Sequence, residues 1–298
     1  MSDDKAVDEF LSYLNLQKRF SPLTTKNYAV DLKQFFNFLN QEVYDSRLTE
    51  ISYQHVRSFI ASLIDKKKST VSVNRKISCL KSFFKFALKN NLISNNPMQK
   101  IQGPKTPKRL PVFIDENQID KIFNQLKFDS GFEGIRNKLL IDVLYQTGLR
   151  RAELINLKET DLDLISLQLK VLGKRNKERI IPFSIHLKRC IQEYLNAKQE
   201  NNLINSFLFV NLKNIQLSPQ ALTKIVSEIL SEVTTNKKKS PHVLRHTFAT
   251  HLLNRGADIN AVKELLGHAN LSATQIYTHN TIEKLKKSYN QAHPRSGN

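Results

Sequence analysis

Three prolines within eight residues, Pro104, Pro107 and Pro111, constrain this 298-residue chain more than any other feature. Each proline fixes its own φ, lacks a backbone donor and turns the residue before it away from helix. The run Gly103-Pro104-Lys105-Thr106-Pro107-Lys108-Arg109-Leu110-Pro111 therefore reads as an extended, semi-rigid strap. A chain of this length is also long for one core. The expected organisation is a first domain over 1–103, a basic proline-rich linker over 104–111 and a second domain over 112–298.

Before the strap, apolar residues recur at helical spacing. Tyr28, Leu32, Phe35, Phe36 and Leu39 form one stripe, and Val56, Phe59, Ile60, Leu63 and Ile64 a second. A third comprises Val73, Ile77, Leu80, Phe84, Ala87 and Leu88, and Val7, Phe10, Leu11 and Leu14 open the chain. An all-α bundle of about four helices follows. Arg75, Lys76, Lys81, Lys85 and Lys89 fall mostly off the third stripe, which suits a solvated face or DNA contact equally.

Beyond the strap the pattern is mixed. Ile135 to Tyr145 reads as a helix ending at Thr147-Gly148. Ser166 to Leu172 and Arg179 to Phe183 alternate apolar and polar residues around the turn-rich Gly173-Lys174-Arg175-Asn176-Lys177, the mark of a β-hairpin. Phe207 to Val210 reads as a further short strand, and helical patterns return from Ser218. The second domain is thus expected to be mainly α with a small antiparallel sheet.

Charge narrows the partner. Lys and Arg total 46 against 27 Asp and Glu, a formal net charge of +19. Basic residues exceed acidic ones in each segment: 16 to 9 over 1–103, 3 to none in the linker, 27 to 18 thereafter. Two basic lobes with a basic connector suit a protein gripping a polyanionic duplex, because each neutralised phosphate releases condensed counterions. The opening MSDDKAVDEF lacks the basic end and apolar core of a signal peptide, and no apolar run approaches the length of a membrane span, so a cytoplasmic protein without membrane contact is expected. Cys79 and Cys190 belong to no C-x-x-C motif or Cys/His cluster in the sequence and read as core-filling thiols.

Several residues stand out for chemistry. Ser240-Pro241-His242-Val243-Leu244-Arg245 reads as a helix start with Ser240 at the N-cap; His242 and Arg245, at i and i+3, share a face where a phosphate would be favoured. His242 and His246 have i, i+4 spacing but lack the Glu of H-E-x-x-H and a third ligand, so no metal and no cofactor are expected. Gly267 reads as the end of a helix beginning near Ile259, with His268 just beyond and Tyr277 nine residues on. Arg150 stands at a helix junction in Thr147-Gly148-Leu149-Arg150-Arg151-Ala152-Glu153-Leu154, and Lys174 in the hairpin turn.

Arg150, Lys174, His242, Arg245, His268 and Tyr277 occur in the order and approximate spacing of the tyrosine recombinase (phage integrase) family. Their contexts, T-G-L-R-x-x-E-L, G-K-x-N-K-E-R, P-H-x-L-R-H-T-F-A-T, L-L-G-H and I-Y-T-H, match as well. In the first domain, S-P-x-T-x-x-x-Y-x-x-D-L-x-x-F resembles the family's SAM-like core-binding domain, so the resemblance spans essentially the whole chain. The ending Ala292-His293-Pro294-Arg295 is most similar to the Xer-type site-specific recombinases, which resolve bacterial chromosome dimers.

The resemblance implies that Tyr277 attacks a DNA phosphorus to leave a 3′-phosphotyrosine, which stores the bond energy so that rejoining needs neither ATP nor metal. Arg150 and Arg245 would bind the non-bridging oxygens, His268 would add a donor, His242 would assist proton transfer and Lys174 would protonate the leaving 5′ oxygen. It implies double-stranded DNA as partner, a homotetramer or heterotetramer on two sites, a C-terminal helix (about 281–291) docking in a neighbour, and leaves open a DNA translocase as activator. An integrase of a mobile element, a type IB topoisomerase-like enzyme and a DNA-binding protein with a dead site are the rival readings.

Overall fold

Phenylalanine at helical spacing organises the first part of the chain. The computed structural model describes residues 3–42, 47–106, 112–173, 178–267 and 288–295, and the chain divides into two units, Met1–Arg109 and Leu110–Asn298. Unit 1 holds α1 (Asp3–Leu16), α2 (Pro22–Glu42), α3 (Tyr53–Asp65) and α4 (Thr70–Lys89). Phe10, Phe35, Phe59, Phe83 and Phe84 are buried together. Their rings meet edge to face, as between Phe10 and Phe83 (5.4 Å) and Phe35 and Phe59 (5.2 Å). That geometry sets positive ring edges against negative faces.

Helix α4 departs from the expected stripe. It touches α1, α2 and α3, so it buries Cys79 and Phe83 as well as the stripe, while Leu88 is exposed. Lys76 also falls inside the buried arc, not on a solvated face. Its Nζ donates to Asp31 Oδ1 (2.6 Å) and Gln34 Oε1 (2.5 Å), and these two α2 side chains make its burial tolerable.

Unit 2 is built around α6 (Phe132–Thr147), which is buried on nearly every side because α8 (Ile185–Glu200) and α10 (Pro241–Asn254) pack on it. Around it lie α5 (Glu116–Asn124), α7 (Arg151–Ile155), α9 (Pro219–Ser231) and α11 (Ile259–Leu266). A three-stranded antiparallel sheet runs β1 (Leu162–Asp163), β2 (Gln168–Leu172), β3 (Glu178–Pro182). The expected hairpin is present, with Leu169 opposite Ile181 and Leu172 opposite Glu178.

Phe207 to Val210 is not a strand. It makes isolated bridges through Phe207 and Val210, while α8 side chains take other backbone groups: Tyr194 donates to Leu208 O, and Lys198 to Phe207 O.

Residues 288–292 are helical, and the chain after them seats in unit 2. Tyr289 is fully buried and donates to Gln146 Oε1 (3.1 Å), and the His293 ring stacks on it at 4.9 Å. Burial pushes the His293 pKa down to about 3, so this imidazole is neutral. Of the helix expected near 281–291, residues 281–287 lie outside the described residues. Among the described residues, Tyr289, Ala292 and His293 pack in unit 2.

Candidate active site

Two left-handed glycines set the site. Helix α6 ends at Gly148 (φ 59°), whose N–H bonds Leu144 O, and α11 ends at Gly267 (φ 62°). A Cβ on Gly148 would lie 2.5 Å from the Phe248 ring, so neither the backbone nor the space admits a side chain. Helix ends leave carbonyls without intrahelical partners, and their partial negative charge attracts cations. Three arginines use them here.

Arg150 follows Gly148 as the N-cap residue of α7. Its backbone N–H donates to Glu153 Oε2 (2.8 Å), Nη1 to Glu153 Oε1 (2.7 Å) and Nη2 to Gly267 O (3.0 Å). Arg245, one turn into α10, donates from Nη1 to Gly148 O and from Nη2 to Leu266 O, both at 2.6 Å. It therefore bridges the ends of α6 and α11 and is buried, rather than standing on an open face with His242, which is exposed. Ser240 does occupy the N-cap, but its side chain makes no capping bond.

Arg179, from β3, completes the cluster. Its Nε donates to Leu265 O (2.8 Å), and its two terminal nitrogens grip Glu153 at 2.9 and 2.7 Å. Burial works to raise the Glu153 pKa, but the Arg179 hydrogen bonds and charge, with Arg150, overturn this and hold it at about 2. Burial and the neighbouring Arg150 lower Arg245 to about 10, which leaves it charged near neutral pH. Among the described residues, three guanidiniums thus face one carboxylate, for a net charge of about +2 across the cluster.

Of the six residues expected from sequence, Arg150 and Arg245 converge, and His242 lies one turn before Arg245 at the start of the same helix. Lys174, His268 and Tyr277 lie outside the described residues. Sequence reading assigned no role to Glu153 and missed Arg179. A signal for Arg179 was present: in β3 it shares the inward face with Ile181, opposite buried Val171, and a charge on an apolar face needs a partner.

The chain matches the phage integrase family over residues 112–284 and the phage integrase N-terminal SAM-like domain over residues 7–91. It is similar to the tyrosine recombinase XerC of Staphylococcus epidermidis, 40% identical over 294 residues and covering 98% of each chain. The tyrosine recombinase XerC of Bacillus subtilis is 36% identical, with 97% of this chain and 96% of that one covered. Among solved structures, the XerH site-specific recombinase bound to palindromic difH substrate aligns with a TM-score of 0.72 at 25% identity, over 97% of this chain and 89% of that chain.

Proposed function

This chain belongs to the phage integrase family and is a site-specific tyrosine recombinase that cuts and rejoins DNA; from that premise we propose how its residues divide the work. The observation that carries the reading is the guanidinium cluster. With Glu153 as its described carboxylate, the cluster holds a surplus of positive charge, which suits a phosphodiester passing through a more highly charged transition state. Arg150 and Arg245 are held from behind by backbone carbonyls and bind the non-bridging oxygens of the scissile phosphate. Glu153 and Arg179 are positioning residues that fix the two forks.

Tyr277 is the nucleophile. Its phenol oxygen bonds to phosphorus as the bond to the 5′ oxygen breaks, giving a 3′-phosphotyrosine and a 5′ hydroxyl. His242 assists removal of the phenol proton, Lys174 protonates the leaving oxygen and His268 adds a donor to the phosphate. Attack by a 5′ hydroxyl from the partner strand reverses the chemistry and frees Tyr277.

The 36–40% identity to proteins named XerC, and the likeness to a recombinase bound to a difH substrate, support resolution of chromosome dimers at a dif-like site over integration of a mobile element. The protein acts as a tetramer of identical or paired recombinases on two duplex sites, in the cytoplasm, with a DNA translocase as candidate activator. Among the described residues no helix is long and apolar enough to cross a membrane.

Tyr277→Phe tests the assignment. The variant should bind its DNA site normally yet form no covalent complex on a nicked suicide substrate. An undiminished adduct would refute the role of Tyr277.

A further inference from the structure

Unit 2 holds a second polar cluster that shares no residue with the arginine site. Asp142 on α6 and His186 and Cys190 on α8 bring one donor atom each to within 4.8 Å of one another. The i, i+4 spacing puts His186 and Cys190 on one face of α8, although the sequence showed no Cys/His cluster: the third member comes from another helix. Cys190 is half-buried beside this group rather than simply filling the core.

The spacing fits a metal. His186 Nε2 lies 3.5 Å from Cys190 Sγ and 3.6 Å from Asp142 Oδ2. Bond lengths of 2.0–2.3 Å around tetrahedral zinc place neighbouring N, O and S ligands about 3.4–3.6 Å apart. Two of the three separations are already at that value.

The present occupant shows that the site takes cations. Arg295 Nη2 lies 2.5 Å from His186 Nε2, and its Nε 3.3 Å from Asp142 Oδ1, with the guanidinium 3.9 Å over the Phe123 ring. A guanidinium only donates, so His186 Nε2 must be the acceptor. Nε2 therefore carries the ring's lone pair, the form in which imidazole ligates a metal.

Charge balances in either state. With Arg295 seated, one guanidinium offsets the Asp142 carboxylate and Cys190 remains a thiol, its pKa raised to about 11 by burial. With a divalent ion in its place, two positive charges offset the carboxylate and a Cys190 thiolate. The exchange releases one thiol proton and frees Arg295. A cleft of about 290 Å³ reaches Cys190, and the His186 side chain is itself part-exposed.

We infer that Asp142, His186 and Cys190 form a binding site for a thiophilic divalent cation such as Zn²⁺, which competes with Arg295 and so couples metal occupancy to the seating of residues 288–295. The coupling is reciprocal, because any ion that weakens the Arg295 contact is bound more tightly once that contact is gone.

Titration of the full-length, reduced protein with Co²⁺ tests this through the thiolate-to-cobalt absorption band, with Zn²⁺ added afterwards to displace the probe. One equivalent should bind with release of one proton. Cys190→Ser should abolish the band and Cys79→Ser should keep it. His186→Ala should weaken binding at least about tenfold. Arg295→Ala should tighten binding about tenfold, the effect of losing one charge-assisted competitor. His186 is part-exposed and Arg295 lies near the chain end, so those variants report even if the Cys190 variant fails to fold. No thiolate band in either the wild-type or the Arg295→Ala protein, or a band that survives Cys190→Ser, overturns the site. Unchanged affinity in Arg295→Ala overturns the competition.

Discussion

Both units bury a carboxylate among cations, but they do so to different ends. In unit 1, Asp31 meets the buried ammonium of Lys76 at 2.6 Å and the more exposed guanidinium of Arg75 at 2.7 Å, while Gln34 takes a further Lys76 proton. The buried charges pair one to one, so the arrangement ties α2 to α4 and leaves little field behind. In unit 2, Glu153 meets Arg150 and Arg179 in short contacts and Arg245 at 3.9 Å, and the remaining guanidinium donors turn to the carbonyl ends of α6 and α11. Neutral carbonyls satisfy hydrogen bonds without cancelling charge. A packing device and an anion site can thus both be built on a buried carboxylate among cations and differ in stoichiometry and in the neutral partners that take the remaining donors.

The largest expected effect breaks the unit 2 cluster outright. Glu153→Gln should cost about 3–5 kcal/mol in denaturant unfolding, since three guanidiniums lose their buried counter-charge. The same carboxylate carries an acid dependence. Its pKa is depressed in the folded state, so its contribution is complete above the ordinary range near 4.5 and is lost as pH falls towards about 2. The Gln variant should lack that component of the acid unfolding profile.

Arg245→Lys comes next. An ammonium cannot span Gly148 O and Leu266 O as the fork does while also offering paired donors to a phosphate. Cleavage of a suicide substrate should slow about 10²–10³-fold, or about 3–4 kcal/mol in barrier, with DNA binding largely retained. A rate within a factor of a few of wild type would count against Arg245 touching the reacting phosphate.

Asp31→Asn sharpens the contrast. It should cost about 2–3 kcal/mol of stability, because Lys76 keeps Gln34 and an amide oxygen but loses its counter-charge. Cleavage by the folded enzyme should be unchanged; a large catalytic loss would show that the unit 1 pair does more than pack. Arg75→Ala, at the exposed edge of the same pair, should cost no more than about 1 kcal/mol in thermal unfolding.

Much of the fold could be read from local pattern. The apolar stripes of unit 1, the paired strands of the hairpin, and the glycines ending α6 and α11 are all decided by neighbours a few residues away. Phe207 to Val210 was misread because a short apolar run suggests a strand but does not reveal the Tyr194 and Lys198 side chains that take its backbone bonds. Arg150, His242 and Arg245 were legible as site candidates through motif spacing. The anchoring role of Glu153 and the Asp142–His186–Cys190 cluster were not, and Arg179 was signalled only by its place among the apolar residues of β3.

What the sequence determined by itself was periodicity and punctuation: which stretches coil and which turn. Only the tertiary structure decided which charges would meet. Lys76 is a surface lysine by its stripe until α2 supplies Asp31, and Cys190 is core filler until α6 supplies Asp142. The reason is physical. A helix or strand is selected by interactions within a few residues, whereas the field at a buried charge is summed over every group within several ångströms, whatever its place along the chain.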